Sequence, residues 1–326
     1  MATRLIRNTV VLLKSEVTYG TDPTPTGSSN AMLVISNLSI NPFNVTAVDR
    51  DLIRSYLGAS ESLLGSRYVE MSFDVELTGS ATVAVAPAWG PALLACAMAE
   101  TLTAVTRADY TPVSSAFGSC TIYWYDDGLL HKAVGARGAP VFKLNINQRP
   151  VMSFKFLGLY STPTVVSNPS TTLTAWKTPQ IISEANTLDL TFGGTHSTST
   201  APAIAAGTPY PSQGIEIDLG NKVDFNPFLG GETVDSTSRN ATAKCTLDLT
   251  ATQEAALIAQ MEAGTLQTVG LSHGTVSNQK VLVWLPNVQI TNMQKAEANG
   301  KRVVALDLKC LPSTSGNDEV RIVTSF

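Results

Sequence analysis

The chain repeats a series of short motifs, and this repetition constrains its fold more than any other feature. Five landmarks between residues 41 and 156 recur in the same order between residues 226 and 308. Each landmark is represented here by one residue pair: Asn41 with Asn226, Phe73 with Cys245, Leu93 with Leu257, Trp124 with Trp284, and Phe154 with Leu306. The offset only decreases, from 185 to 152, as expected if the first copy has longer loops. The sequence therefore predicts two copies of one domain, over residues 1–170 and 171–326.

Each copy carries strand signals and one helix signal. Residues 70–78 alternate strictly between apolar and polar side chains, which predicts a strand with one buried face. The run Asp126-Asp127-Gly128 between two apolar segments predicts a hairpin. Helices are predicted over residues 91–100 and 252–263, the second capped by Thr252. The predicted fold is mainly β: two tandem antiparallel sandwiches or barrels, each with one flanking α-helix.

Composition narrows the function classes. Charged residues make up only 15% of the chain and the net charge is −4, which excludes a strongly basic nucleic-acid binder. No apolar run approaches the roughly 18 residues that a membrane-spanning helix needs. The four cysteines lie far apart without a CxxC pair, which favours buried reduced thiols over a disulfide or a metal set.

Motifs for catalysis and cofactor binding are missing from the sequence. It contains no GxSxG, GxxxxGK[ST] or HExxH pattern, and His131, His196 and His273 are isolated from one another. We therefore predict no enzyme activity, cofactor or metal. The most suggestive cluster is an acidic row on one predicted strand, formed by Glu70, Asp74 and Glu76. Such carboxylates could serve as an acid/base pair, but a solvated strand face is the favoured interpretation.

Three segments resemble a known family. Residues 19–22 read Tyr-Gly-Thr-Asp, residues 67–73 read Arg-Tyr-Val-Glu-Met-Ser-Phe, and residues 87–94 read Pro-Ala-Trp-Gly-Pro-Ala-Leu-Leu. They resemble tail tube proteins of long-tailed bacteriophages, and most closely those of Mu-like siphophages. The resemblance covers most of the first copy and the second more loosely. It implies a β-sandwich or barrel with a flanking helix, six of which close a ring, and rings that stack into a tube around the genome.

The resemblance also implies an assembly and its partners. Most members carry one fold per chain, so a duplicated chain leads us to expect three chains per ring, a pseudo-hexamer, instead of six. The implied partners are the protein itself, a tape measure protein, a tail terminator and distal tail or baseplate proteins. Double-stranded DNA is expected to pass transiently, without a membrane partner. The implied location is the virion tail, after assembly in the bacterial cytoplasm.

Two kinds of site residue follow from this interpretation. A basic lumen would bind DNA phosphates and retard the genome, so we expect an acidic or neutral wall. The residues predicted to line the lumen are Glu70, Asp74, Glu76 and Asp248. Contacts between rings are expected from an insert loop over residues 48–67 and from the arms 1–8 and 313–326. The apolar residues of this insert are Leu52, Ile53, Tyr56, Leu57, Leu63 and Leu64, whose alternative role is packing on their own domain.

Two competing functions remain open at this point. A surface adhesin or carbohydrate-binding protein could share two β-sandwich domains, and it should expose an aromatic ligand platform. A glycan-active enzyme could use Glu70 or Asp74, and it should hold two carboxylates facing each other in a pocket.

Overall fold

The computed structural model describes residues 3–197 and 202–326 and is mainly β. The strands of the first half are β1 Thr9–Ser15, β2 Ala31–Met32, β3 Val34–Asp49, β4 Ser62–Glu76, β5 Met98–Thr103, β6 Arg107–Pro112, β7 Cys120–Asp126, β8 Leu129–Asn145, β9 Val151–Tyr160 and β10 Thr164–Val165. Those of the second half are β11 Leu190–Phe192, β12 Thr195–Ser197, β13 Ala203–Ala205, β14 Thr208–Tyr210, β15 Ser212–Asp218, β16 Asn221–Phe228, β17 Gly231–Arg239, β18 Thr242–Leu247, β19 Gln267–His273, β20 Val281–Ala298, β21 Lys301–Cys310 and β22 Arg321–Thr324. The helices are α1 Gly90–Leu94, α2 Ala251–Glu262 and a 3₁₀ turn at Ile6–Asn8. The predicted antiparallel, mainly β fold with two helices is confirmed, as a sandwich in which the described strands close no barrel.

One antiparallel sheet of eight strands runs through the whole molecule. Its order, set by backbone pairing, is β3, β4, β9, β8, β15, β18, β21 and β20. The first four strands come from the first half of the chain and the last four from the second half. The two halves meet where β8 pairs with β15. We refer to this layer as the eight-strand sheet and to the β8–β15 pairing as the internal joint.

A second layer packs on the eight-strand sheet and completes the sandwich. Over the first half it consists of β2, β1, β7 and the start of β8. Over the second half it consists of β14, β11, β19, the start of β20 and β22, and it is extended by β6 and β5 of the first half, because β22 pairs with β6. The long strands β8 and β20 therefore belong to both layers. Leu13 and Trp124 from the second layer share one buried core with Phe73 and Phe154 from the eight-strand sheet. This burial of apolar faces between layers stabilises each half.

The strand pairings of the two halves follow the same scheme. Phe73 lies opposite Phe154, and Cys245 lies opposite Leu306, so these two landmarks occupy equivalent positions. Two other matches are wrong. Asn41 lies opposite Glu70 of β4, whereas Asn226 lies in the β16–β17 hairpin opposite Thr233. The match of Trp124 with Trp284 also fails. Trp124 lies on β7, whereas Trp284 lies on β20 opposite Gly270 of β19.

Both helices differ in extent from their predictions. Helix α1 has only five residues, because the chain turns at Ala97, whose φ is +57°, and continues as β5 from Met98. The N-cap of α2 is Thr250 and not Thr252: its side chain accepts a hydrogen bond from the backbone N–H of Gln253 in a reciprocal capping box.

The predicted insert loop over residues 48–67 is partly strand and forms the end of a hairpin. Strands β3 and β4 continue beyond the sheet, so only residues 50–61 are a loop. We call this extension, residues 48–67, the arm; the terminal segments 1–8 and 313–326 are not part of it. Its counterpart in the second half, the β16–β17 hairpin, folds back onto the first half, where the ring of Phe225 stacks on Tyr68 at 5.1 Å. The two hairpins therefore have different surroundings.

The chain ends also differ from expectation. The predicted C-terminal arm is wrong: β22 pairs with both β20 and β6, and Val323 is fully buried. At the other end, Arg4 forms an ion pair with Asp126 at 2.5 Å, and the backbone N–H of Leu5 donates to Asp127 at 2.7 Å. Residues 1 and 2 lie outside the described residues.

The cysteines and one histidine are core groups. All four thiols are free and buried, and burial raises the pKa of Cys245 and of Cys310 to about 12. His273 is buried, with Nδ1 2.8 Å from the Thr187 hydroxyl and Nε2 3.1 Å from the Gln180 carbonyl oxygen. Burial lowers the pKa of His273, so this side chain is neutral near pH 7.

Candidate assembly interface

The face of the eight-strand sheet that points away from the core carries most of the predicted lumen residues. Glu70, Asp74 and Glu76 lie on this side of β4, because alternate residues of a strand share a face. The Glu70 carboxylate lies 2.8 Å from the ammonium of Lys155 on the adjacent strand β9. Asp74 is only 8% exposed, so it contributes little surface to this face.

One ion pair on this face occurs in both halves. Glu76 lies 3.5 Å from Arg149, and Asp248 lies 3.5 Å from Lys301. The two pairs are related by the same sequence offsets, 172 and 152, that relate the paired strands. Three of the four carboxylates that were predicted to make the face acidic, Glu70, Glu76 and Asp248, thus have a basic partner, so the negative potential of the face is reduced. The sequence already contained this signal, because Arg149 and Lys301 begin the repeated β9 and β21 landmarks.

Charges of both signs alternate across the internal joint. Lys143 of β8 lies opposite Glu216 of β15, which lies opposite Lys244 of β18, and Lys244 lies opposite Asp307 of β21. The Lys244 ammonium is 3.8 Å from the Asp307 carboxylate. Opposite charges at directly facing positions favour this strand register, since a slip by one residue would place them on the other face. The resulting surface is mixed in charge and is not a basic stripe.

Arg137 of the first half binds residues of the second half beside the internal joint. Its guanidinium donates from Nη1 to the Val234 carbonyl oxygen at 2.8 Å and to Asp235 at 2.9 Å. The same guanidinium lies 4.7 Å above the ring of Tyr19, whose hydroxyl accepts a hydrogen bond from the Val234 N–H. The Asp235 carboxylate accepts hydrogen bonds from the Thr233 hydroxyl and the Asn226 amide. These hydrogen bonds and the charge of Arg137 hold the pKa of Asp235 below its usual range.

Sequence reasoning missed this residue. The run Gly-Ala-Arg-Gly over residues 135–138 indicates a turn, whereas the structure places it inside β8. Only Gly135, with φ +60°, has turn-like backbone geometry there, where a β-bulge interrupts the β8–β9 ladder. No local pattern identifies Arg137, because all its partners are distant in sequence.

The end of the arm presents an apolar surface to solvent. All six predicted contact residues are exposed: Leu52, Ile53, Tyr56, Leu57, Leu63 and Leu64. Ile53 and Leu57 are each 103% exposed relative to a reference residue. Such exposure does not fit the alternative that they pack on their own domain. An exposed apolar cluster at the end of a projecting hairpin is typical of a protein–protein contact.

The competing chemistry finds little support in the geometry. Glu70 and Glu76 lie on an open sheet face and pair with basic side chains, rather than facing another carboxylate in a pocket. No group of three His, Cys, Asp or Glu side chains suited to a metal occurs among residues 3–197 and 202–326. Within those same ranges, no helix has the length and apolar character needed to cross a membrane.

Comparison with known proteins gives an independent assignment. The family described as phage tail tube protein matches residues 6–308, which covers nearly the whole chain and includes both halves. No curated protein matches the chain. The match covers the mainly β sandwich described above. The chain therefore belongs to the phage tail tube protein family and is a structural component of the virion, not an enzyme.

Proposed function

We propose that three copies of this chain close a pseudo-hexameric ring, and that stacked rings form the tube that conducts the DNA genome into the host. The observation that carries the proposal is the eight-strand sheet. Two four-strand halves with the same pairing scheme are already joined edge to edge by backbone hydrogen bonds. We accordingly take residues 1–170 and 171–326 as two copies of one tail tube fold. Repeating the same joint between chains would close a ring of six folds from three chains.

The dimensions of such a ring suit a DNA channel. Three chains supply about 24 strands, which at about 4.8 Å spacing give a circumference near 115 Å and a diameter of about 37 Å, larger if the strands tilt. Side chains reduce this opening but leave room for a double helix. The charged face of the eight-strand sheet would line the channel, with Glu70, Glu76 and Asp248 on the wall and Asp74 largely covered.

The partners and location follow from the same proposal. A tube has two different ends, which would bind a tail terminator and the distal tail or baseplate proteins, while its lumen would hold a tape measure protein before DNA enters. Assembly would take place in the bacterial cytoplasm. The arm would dock on a second copy of the chain in the next ring, because its apolar end has no partner within the described subunit.

Electron microscopy of the purified protein tests the ring. We expect rings or tubes whose class averages show a sixfold outline, and whose mass per ring corresponds to three chains of 34.5 kDa. A mass of three chains per ring would indicate that each chain supplies two folds, whereas a mass of six chains would indicate one fold per chain. A preparation that contains only monomers at high concentration and moderate salt, or rings of six chains, would contradict the proposal.

Reversing the wall charge should make assembled tubes retain DNA. We expect tubes of the triple variant Glu70→Lys, Glu76→Lys and Asp248→Lys to co-sediment with double-stranded DNA at low salt, whereas unmodified tubes do not. The added lysines would bind phosphates by counterion release, so retention should fall steeply as salt rises. The matched control is the triple variant Glu184→Lys, Asp189→Lys and Glu262→Lys, which makes the same change in charge at exposed residues outside the strands of the eight-strand sheet. Equal DNA retention by the control and by the variant of the sheet face would argue against a lumen on this face.

A further inference from the structure

The internal joint has a defined register and a fully covered core. Val141 to Asn145 of β8 pair in order with Asp218 to Gly214 of β15. Behind this pairing, Phe142, Leu144 and Ile217 are each 0% exposed. The joint thus shows what the contact between two neighbouring folds looks like when both are present.

The two outermost strands of the eight-strand sheet are β3 and β20. At the two edges of the sheet they hold the positions that β15 and β8 hold at the internal joint. Among the described residues, β3 pairs only with β4, and the outer part of β20 pairs on one side only, with β21. Because these edges carry unpaired backbone groups, they are the places where a further strand can add.

Equivalence of β20 with β8 follows residue by residue from the shared partner strands. Pro140 of β8 lies opposite Phe154, and Met293 of β20 lies opposite Leu306, where Phe154 and Leu306 are equivalent landmarks. Both ladders continue without interruption over the next three residues. Lys143 therefore corresponds to Ala296.

The equivalence of β3 with β15 is obtained in the same way. Ile217 lies opposite Ala243, and Ile40 lies opposite Met71. Met71 and Ala243 are related by the offset of 172 that also relates Phe73 to Cys245. Ile40 thus corresponds to Ile217, and Ser39 corresponds to Glu216.

Burial at these equivalent positions shows that the two edges lack a neighbour. Leu38, Ile40 and Met293 are only partly buried although they pack against the core. Their counterparts in the internal joint are covered, with Ile215 at 1% and Ile217 at 0% exposure. A second copy of the chain would cover the open positions in the way that the second half covers the first.

We propose that β20 of one chain pairs antiparallel with β3 of the next chain in the register of the internal joint. This register places Ala296 opposite Ser39, Lys295 opposite Ile40 and Gln294 opposite Asn41. It joins no two like charges, and the ammonium of Lys295 already lies 2.9 Å from Glu254 of its own chain. The inference rests on the proposed ring and specifies the contact that closes it.

Disulfide trapping tests the register directly. Directly opposed strand residues have Cα atoms about 4.5–5.5 Å apart, within the reach of a disulfide. We expect the double variant Ser39→Cys with Ala296→Cys to give covalent trimers on oxidation. On non-reducing gels, the largest cross-linked species should contain three chains. The four natural cysteines are at most 5% exposed and should not react.

Two matched variants complete the experiment. Lys143→Cys with Glu216→Cys opposes cysteines across the internal joint, so it should form an intrachain disulfide and remain a monomer on the gel. Asn41→Cys with Ala296→Cys places cysteines two residues out of register, beyond disulfide reach, and should remain unlinked. Trimer formation by the out-of-register pair, or rings visible by microscopy without linkage of Ser39→Cys to Ala296→Cys, would overturn the register while leaving the ring proposal intact. Absence of rings altogether would overturn both.

Discussion

Replacing Ile53 and Leu57 at the end of the arm with serine is expected to leave the subunit folded and to prevent rings from stacking into tubes. Both side chains are fully exposed in the subunit, so they contribute nothing to its core. Burial of each against a neighbour would contribute about 1.5–3 kcal/mol. Losing both weakens every arm contact by about 3–6 kcal/mol, which corresponds to at least a hundredfold in affinity. Because each ring would use three arms, the effect on tube length should be large.

Sedimentation velocity and circular dichroism measure the two parts of this expectation. The variant should sediment as subunits or single rings and keep the β spectrum and thermal midpoint of the unmodified protein. The matched control is Val17→Ser, which removes an equally exposed apolar side chain at 102% exposure from the segment after β1. Tubes of normal length from the Ile53→Ser, Leu57→Ser variant would show that the arm does not connect rings.

Removing Arg239 is expected to cause a large loss of subunit stability. Its guanidinium pairs with the buried carboxylate of Glu319 and donates to the Val113 carbonyl oxygen at 2.7 Å. This contact connects the β16–β17 hairpin, the segment before β22 and the first half. The Arg239→Ala variant leaves the Glu319 carboxylate, 7% exposed, without its counter-charge. We expect the free energy of unfolding to fall by about 3–5 kcal/mol.

Urea denaturation of unassembled subunits measures this loss, with two comparison variants. Lys155→Ala removes the exposed partner of Glu70, and it should cost less than about 1 kcal/mol because solvent screens that pair. Replacing both buried partners, Arg239→Met with Glu319→Leu, should recover most of the loss, since no unpaired charge remains. Equal destabilisation by Arg239→Ala and Lys155→Ala would show that burial of the pair is not what makes it important.

Local patterns in the sequence were sufficient for part of the fold. The alternation around Phe73 predicted a strand with the correct buried face, because successive side chains of a strand point to opposite faces. The offsets 172 and 152 agree with the strand pairing, because Cys245 and Leu306 lie opposite each other just as their counterparts Phe73 and Phe154 do. Boundaries at turns were less well determined: the N-cap at Thr250 depends on reciprocal hydrogen bonds that a neighbouring threonine could equally have made.

Local sequence patterns likewise identified only part of the candidate interface. The six apolar arm residues were identified in the sequence as an apolar cluster in an otherwise polar segment, and the family resemblance implied their role as contacts between rings. The mixture of positive and negative charge on the sheet face was not identified from the sequence, because Lys155 and Lys244 acquire their acidic neighbours only through strand pairing. The burial of Asp74 and the role of Arg137 likewise depend on groups remote in sequence.

The sequence by itself determined a mainly β fold with two helices, and it predicted the duplication from its repeated motifs. The tertiary structure alone decided that the two halves share one continuous sheet through β8 and β15. It also decided that the arm projects while its counterpart folds back, and that the C-terminal segment becomes the buried strand β22. The physical reason is that periodicity and propensity act over a few residues. The partner of a strand edge is selected by long-range packing and backbone hydrogen bonding, which no local pattern encodes.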